Sequence, residues 1–592
     1  MDQQPRRVGW LATASLIALL AGAACSGPPA AVTGAAPAVP AAQAQQDGWP
    51  AYAAGFVEEY LKSQPFFAVQ AGRHEYDGQM PDYSTAGIAA QVARLKEWRA
   101  RAGAFDAAAL NADERFEREY LLWVTDTDLY WLDRARSPFT NPVWYVDRLD
   151  PEVYLSREYA PLPQRLQGYL GYARAIPKIV ADIRANLSMP LPATFIERGI
   201  AAFGGFAEFY RQDVPKVFGS IQDPQAQQEL ADADEAAARA MDSLKAWLES
   251  KRGHASGNFA LGEPKLLEML KATERVEIPI TQLLAAGRAD LERNTQALKS
   301  ACAQFAPKAT LSACVQKVQA DKPTGGAVAG ARVQLETLRT FVIAHHVVSV
   351  PDDQQAQVAE APPYNRSNGA YISIPGPYEK GVAYTYYIAP PDPSWSAAER
   401  AEYVLGKASL LYTSVHEVWP GHFLQFLHSN RNPSKIQALW VSYAYAEGWA
   451  HYSEEIMWEE GLGDGNPEQH IGQLTEALLR NVRYQCAIGL HTQGMSVAQC
   501  EQMFREQAYQ DPRSARQQAA RGTFDPEYLK YTLGKLMIRK LRADWVARQP
   551  GATSAPDPRT YWQAFNDKFL SFGGPPIPMV RRAMVGEGGA LF

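Results

Sequence analysis

Cysteine is scarce in this chain, five in 592 residues, and no two stand in the C-x-x-C spacing of a thiolate metal site. No sign of charge dominates either. Lys and Arg number 58 against 64 Asp and Glu, a net −6, which gives no reason to expect nucleic acid as a partner. There is no glycine loop of the kind that cradles phosphate, and no internal repeat. Past the N-terminus no apolar run is long enough to span a bilayer. Strand-like runs are few. Only Ala370–Ile374 and Val382–Ile388 look like strands, separated by Pro375-Gly376-Pro377 and Lys380-Gly381, so a single hairpin is predicted.

What is present is mostly helix. A hydrophobic content of 46% over this length supports a large core in one lobe or two fused lobes. Asn111-Ala-Asp-Glu114 is a capping box ahead of an aromatic helix that runs through Tyr130. Gln225–Lys251 carries Met241, Leu244 and Leu248 on one helical face, and Leu283–Lys299 is similar. Ser396 is placed to cap a single helix from Ala397 to Glu417.

The N-terminus reads as targeting rather than structure. Arg6-Arg7 precede an apolar run, Val8–Ala24, that ends at Cys25. Small residues ahead of a cysteine fit a lipoprotein signal with Cys25 lipidated, and the rival is secretion after Ala-x-Ala cleavage. The expected organisation is a signal over 1–24, an Ala/Pro-rich flexible tether over 25–47 and one helical catalytic domain over 48–592. The expected location is therefore periplasmic or anchored to a membrane through that lipid alone. Four further cysteines fall in two close pairs, Cys302 with Cys314 and Cys486 with Cys500. In an exported chain such pairs are disulfide candidates, the alternative being buried thiols.

The chemistry concentrates in Ser-Val-His-Glu-Val-Trp-Pro-Gly-His, residues 414–422. Two imidazoles, His416 and His422, with a carboxylate are the donor set of a catalytic zinc site that keeps one position for water. A glutamate beside a ligand histidine, here Glu417, is placed to take a proton from that water. The familiar H-E-x-x-H helix spaces its histidines four apart on one face. Here the spacing is six, 422 − 416, which turns the second histidine about 120° away on an ideal helix. Pro420 breaks the hydrogen-bond ladder and Gly421 tolerates unusual dihedrals, so a helix with two residues looped out is predicted.

A second block, Glu447-Gly-Trp-Ala-His-Tyr-Ser-Glu454, follows 25 residues after His422, 447 − 422. Glu447 supplies the third candidate ligand. His451 and Glu454 fall at i+4 and i+7 from it, on the same helical face, which suits support of the ligands from behind. The competing reading is a solvated charged face, against which Trp449, Tyr452 and Trp458 argue.

These blocks make the chain resemble a bacterial family, the "domain of unknown function 885" proteins. The matching pieces are 416–425, 447–454, Gly-Leu-His-Thr-Gln-Gly-Met-Ser at 489–496 and Tyr-Thr-Leu-Gly-Lys at 531–535, with Arg539 and Arg542 beyond. Pro65-Phe-Phe-Ala-Val-Gln-Ala-Gly-Arg-His-Glu-Tyr-Asp77 resembles the family's opening, so the likeness spans roughly residues 50–590. The chain departs from it near His491, reading Cys-Ala-Ile-Gly where members often carry an aspartate. The family is similar to thimet oligopeptidase-type zinc peptidases. That likeness implies a mainly α fold with a deep cleft and a small β-hairpin near the metal helix. It further implies Zn²⁺ on His416, His422 and Glu447, Glu417 as general base, and a peptide substrate.

The remaining candidates follow from the chemistry such a site needs. Tyr531, Tyr528 and His491 are candidate donors to a developing oxyanion or to substrate. Arg521, Arg539 and Arg542 are candidates to grip a substrate carboxylate. Two other readings stay open. One is a zinc amidase or esterase on a small envelope molecule. The other is a non-catalytic lipoprotein with a structural metal, which would have no use for Glu417.

Overall fold

The computed structural model describes residues 41–361, 369–391, 393–552, 557–586 and 589–592. The expected signal segment and Cys25 lie outside these residues. The helix Ala41–Ser63 begins inside the stretch expected as tether and is interrupted at Gly48, where φ is 76°.

The chain is mainly α with one small sheet. The expected helices are present. Asn111 and Glu114 form the capping box of Ala112–Leu129. Pro224–Glu249 buries Met241, Leu244 and Leu248 completely. The segment expected as one helix from Ala397 is two, Ala397–Tyr403 capped by Ser396 and Lys407–Glu417. The break falls at Gly406, where a Cβ would stand 2.8 Å from the Gln319 backbone, so the chain turns where only glycine can approach. No described helix is long and apolar enough to cross a membrane.

Two large apolar clusters form. One gathers the N-terminal helices, from Trp49 to Leu248, with Trp440 wedged among Phe56, Tyr60 and Phe67. The other is built from Leu266 onward around the C-terminal helices. Both face a cavity of about 3200 Å³. The cysteine pairs are closed as disulfides, Cys302–Cys314 and Cys486–Cys500.

The predicted hairpin is found with one strand added. β1 (Gln357–Glu360), β2 (Ala370–Ser373) and β3 (Thr385–Ile388) make a sheet of order β1-β3-β2. β2 runs antiparallel to β3, with Ala370 opposite Ile388, and β1 runs parallel to β3. The loop after β2 crosses to the N-terminal lobe. Gly376 sits where a Cβ would meet the Ala71 backbone at 2.4 Å, and the Tyr378 amide donates to the Ala71 carbonyl at 3.0 Å. Beside it His74 stacks on Tyr159 at 3.5 Å, with Asp77 3.0 Å from one ring nitrogen and Glu379 3.3 Å from the other.

That clamp titrates. Burial alone would lower the His74 pKa. Hydrogen bonds to Asp77 and then Glu379 outweigh it and hold the ring up at about 9, above its ordinary 6.5. The folded value is the higher one, so the stabilisation is full below about pH 6.5 and is lost as pH rises through about 9. Chemical denaturation of the wild type and His74→Gln across pH 6–10 should show a gap on the order of 1–2 kcal/mol, discounted for screening, that closes at the alkaline end. A gap independent of pH would exclude the charged clamp.

Candidate metal centre

The His416 helix, Lys407–Glu417, ends at Glu417, and a new helix, His422–Ser429, begins at His422. The predicted looped-out turn is therefore a full interruption. Gly421 is needed there for space. Its φ is −67°, but a Cβ would lie 1.8 Å from the His416 carbonyl oxygen. Its amide donates to the Val415 carbonyl at 3.0 Å, which folds the turn back under the first helix. Trp449, one residue past Glu447-Gly448, donates its indole N–H to the Pro420 carbonyl at 2.8 Å. The second sequence block thus holds the first one's turn.

The result is convergence. One donor atom each from His416, His422 and Glu447 lies within 4.8 Å of the others. Glu447 Oε2 is 3.3 Å from His416 Nε2 and 3.5 Å from His422 Nε2. Two ligands each ~2.1 Å from a zinc ion at the tetrahedral angle lie ~3.4 Å apart. That Oε2 is buried and accepts no hydrogen bond from any described residue. Both carboxylate-to-imidazole separations therefore match a tetrahedral divalent metal, and the three residues fit it in donor chemistry. The His416 and His422 rings meet edge to face at 4.9 Å.

Behind them the support expected from the helical face is present. His416 Nδ1 and Glu454 Oε1 are 2.7 Å apart, which leaves Nε2 to face Glu447. Glu454 is fully buried, and both His451 Nδ1 at 3.2 Å and Arg480 at 3.1 Å reach it. Arg480 also bonds Glu476 at 2.8 Å. Burial would raise the Glu454 carboxyl, but the Arg480 guanidinium above all, with the hydrogen bonds to His416 and His451, holds it well below the usual carboxylate range. Glu417 faces the same cleft beside His416 and His422, and burial pushes its carboxyl up.

Tyr531 enters from the helix Lys530–Val546 and donates to Glu447 Oε1 at 3.0 Å. Burial, and then the Glu447 charge, push its hydroxyl up to about 12, so it remains a donor at neutral pH. Its approach depends on two glycines. A Cβ on Gly448 would meet Gly534 at 2.6 Å, and one on Gly534 would stand 2.0 Å from the Ala444 carbonyl. The helices of Glu447 and Tyr531 touch backbone to backbone there.

Four expected site residues are elsewhere. His491 is buried with both ring nitrogens engaged. The Leu261 amide donates to Nδ1 at 3.3 Å and Nε2 meets the Gly522 carbonyl at 2.8 Å. Burial lowers its pKa to about 4, so it is a neutral structural pin and not a cleft donor. Tyr528 is fully buried and packs against Gly522 outside the cleft lining. Arg539 is turned away and bound to Glu455 at 3.1 Å and Asp290 at 3.5 Å. Arg542 likewise pairs with Glu459 at 2.9 Å and stacks on Trp562. Arg521 does line the cleft, though its guanidinium is paired with Asp525 at 2.8 Å. Sequence reasoning missed Arg480, Arg483 and Tyr443 on the cleft wall. The signal for the arginines was present, since Glu476, Arg480 and Arg483 share one face of the helix Pro467–Thr492.

A family model described as "Bacterial protein of unknown function (DUF885)" matches residues 65–584. No curated protein matches the chain. Among solved structures it is similar to a "putative lipoprotein of unknown function" from Shewanella oneidensis. That likeness has 22% identity and a TM-score of 0.72, covering 91% of this chain and 100% of the other. A "putative lipoprotein" from Colwellia psychrerythraea matches at 17% identity and a TM-score of 0.76, covering 91% and 98%. At these identities the likeness is one of fold.

The glycine contact yields a direct test. Gly534→Ala should destabilise by about 3 kcal/mol or more in urea unfolding, because neither backbone can retreat. Gly253→Ala, where a Cβ meets nothing within 4 Å, should stay within about 0.5 kcal/mol of wild type. Equal stability of the two variants would show that the helices do not depend on this approach.

Proposed function

This chain belongs to the DUF885 family of bacterial proteins, and we propose that it is an exported, zinc-dependent peptidase acting on short peptides. The observation that carries the reading is the converging triad of two histidines and Glu447, with a fourth residue, Glu417, on the same cleft wall. His416, His422 and Glu447 would hold the ion. Zinc in such a site supplies a Lewis acid that polarises a carbonyl and eases deprotonation of water.

The chain's own groups do the rest. Glu417 takes the proton of the attacking water as a C–O bond forms at the scissile carbonyl. It then delivers that proton to the amine as the C–N bond breaks. Its raised pKa suits a group that must both accept and release a proton. The Tyr531 hydroxyl, protonated at neutral pH, donates to the oxygen on which charge develops. Glu454 keeps the His416 ring turned toward the site.

Export is supported by the Arg6-Arg7 and apolar segment before Cys25, by two disulfides, and by lipoprotein descriptions of the structural neighbours. Lipidation of Cys25 would be the anchor. A substrate of peptide size is supported by a cleft of about 3200 Å³ whose walls come from both lobes and from β2.

Glu417→Gln keeps the shape of the base and removes its chemistry. Its zinc content by elemental analysis should equal that of wild type, while turnover of a short-peptide mixture falls by on the order of 10²–10⁴. Parallel ester and amide substrates measure the competing hydrolase activity. Wild-type turnover by Glu417→Gln would remove Glu417 as the base, and ester cleavage without peptide cleavage would replace the peptidase reading.

A further inference from the structure

Among the described residues, Arg483 is the one buried cleft arginine with no carboxylate beside it. It is 5% exposed and lines the cavity. Its Nε donates to Gln518 Oε1 at 2.9 Å, which fixes the plane of the guanidinium. Among the described residues no carboxylate pairs with it. Its charged neighbours are Arg480 and Arg521, two further cations. Those two are satisfied, Arg480 by Glu454 and Glu476, and Arg521 by Asp525. The same helices supply carboxylates wherever a buried cation has a structural role. Lys535 has Asp290 and Glu455, and Lys530 has Glu274 and Glu527. A buried, like-charged, unpaired guanidinium is costly to the folded chain, and a bidentate anion is the ligand that relieves it.

Its position says which anion. The Arg483 guanidinium carbon lies 5.1 Å from the centre of the Tyr531 ring, and the Tyr531 hydroxyl touches Glu447. These contacts put Arg483 within about three residue lengths of the metal ligands, at ~3.5 Å per extended residue. Tyr443, edge-on to Tyr531 at 5.7 Å and bonded to Arg521, walls the space between. We propose that Arg483 receives the free C-terminal carboxylate of the substrate, so that the site releases pieces of one to three residues from peptide C-termini. The proposal rests on the peptidase reading and gives it a direction of cleavage.

The test uses the zinc-loaded full chain and pentapeptides of one sequence, ending either as the acid or as the amide. Wild type should prefer the acid by about 10–100-fold in kcat/KM, mostly through KM, with mass spectrometry showing C-terminal fragments of three residues or fewer. Arg483→Gln should bring the ratio close to one, Arg483→Lys should retain part of it, and Arg539→Gln should retain all of it. The ligand-free Arg483→Gln protein should melt no lower than wild type, which a merely structural arginine would not allow. Equal use of acid and amide by wild type overturns the proposal, and that comparison requires no variant. So does an acid preference that survives in folded Arg483→Gln. Titration calorimetry with Glu417→Gln reads the same preference without hydrolysis. If no peptide is cleaved but the acid still binds more tightly through Arg483, the peptidase reading fails and the carboxylate site stands. If acid and amide bind alike, the site falls whatever is hydrolysed.

Discussion

The candidate site stands on a contact that contains no side chains. Gly448 and Gly534 let the Glu447 and Tyr531 helices meet at their backbones, closer than any Cβ would allow. Everything in the cleft is measured from that seam. Glu447 stands one residue before Gly448, Trp449 one residue after it, and Tyr531 three before Gly534. Through Trp449 the seam reaches the Pro420 carbonyl and so the turn between His416 and His422. One close approach therefore sets the relation among all three metal-ligand candidates and the phenol beside them.

Charge is organised around the seam with care for balance. Glu454, Arg480 and Glu476 form a chain of ion pairs behind His416, and Asp290, Lys535, Glu455 and Arg539 form another deeper in the helices. Each buried charge in them meets an opposite one within hydrogen-bonding distance or slightly beyond, the arrangement that makes burial tolerable. Against that background the isolation of Arg483 reads as a vacancy in a pattern of pairs rather than as one more buried arginine.

Much of this was legible from the chain alone, where the determinants are local. The two blocks around His416 and Glu447 carry chemistry-bearing residues at short spacing, and helical periodicity was enough to put Glu454 behind the ligands. The capping box at Asn111 and the hairpin at Ala370–Ile388 are local too, and both are found. Features set by distant partners were not legible. His491 is held by a backbone amide at residue 261 and a carbonyl at residue 522, and Arg539 by Glu455 and Asp290. Residue type and the family resemblance assigned them to the cleft. Gly421 was expected to relieve dihedrals, whereas its neighbour is the His416 carbonyl. Gly406 broke an expected helix because Gln319, 87 positions earlier, comes against it.

The loop that leaves β2 and locks onto Ala71 and His74 ties the sheet to the opposite lobe. Such a tie makes the two lobes a frame rather than a pair of jaws, because parting them would have to tear a backbone hydrogen bond and a stacked, doubly bonded imidazole. A frame keeps its opening, so the width of the cleft is set by the fold and not by what lies in it.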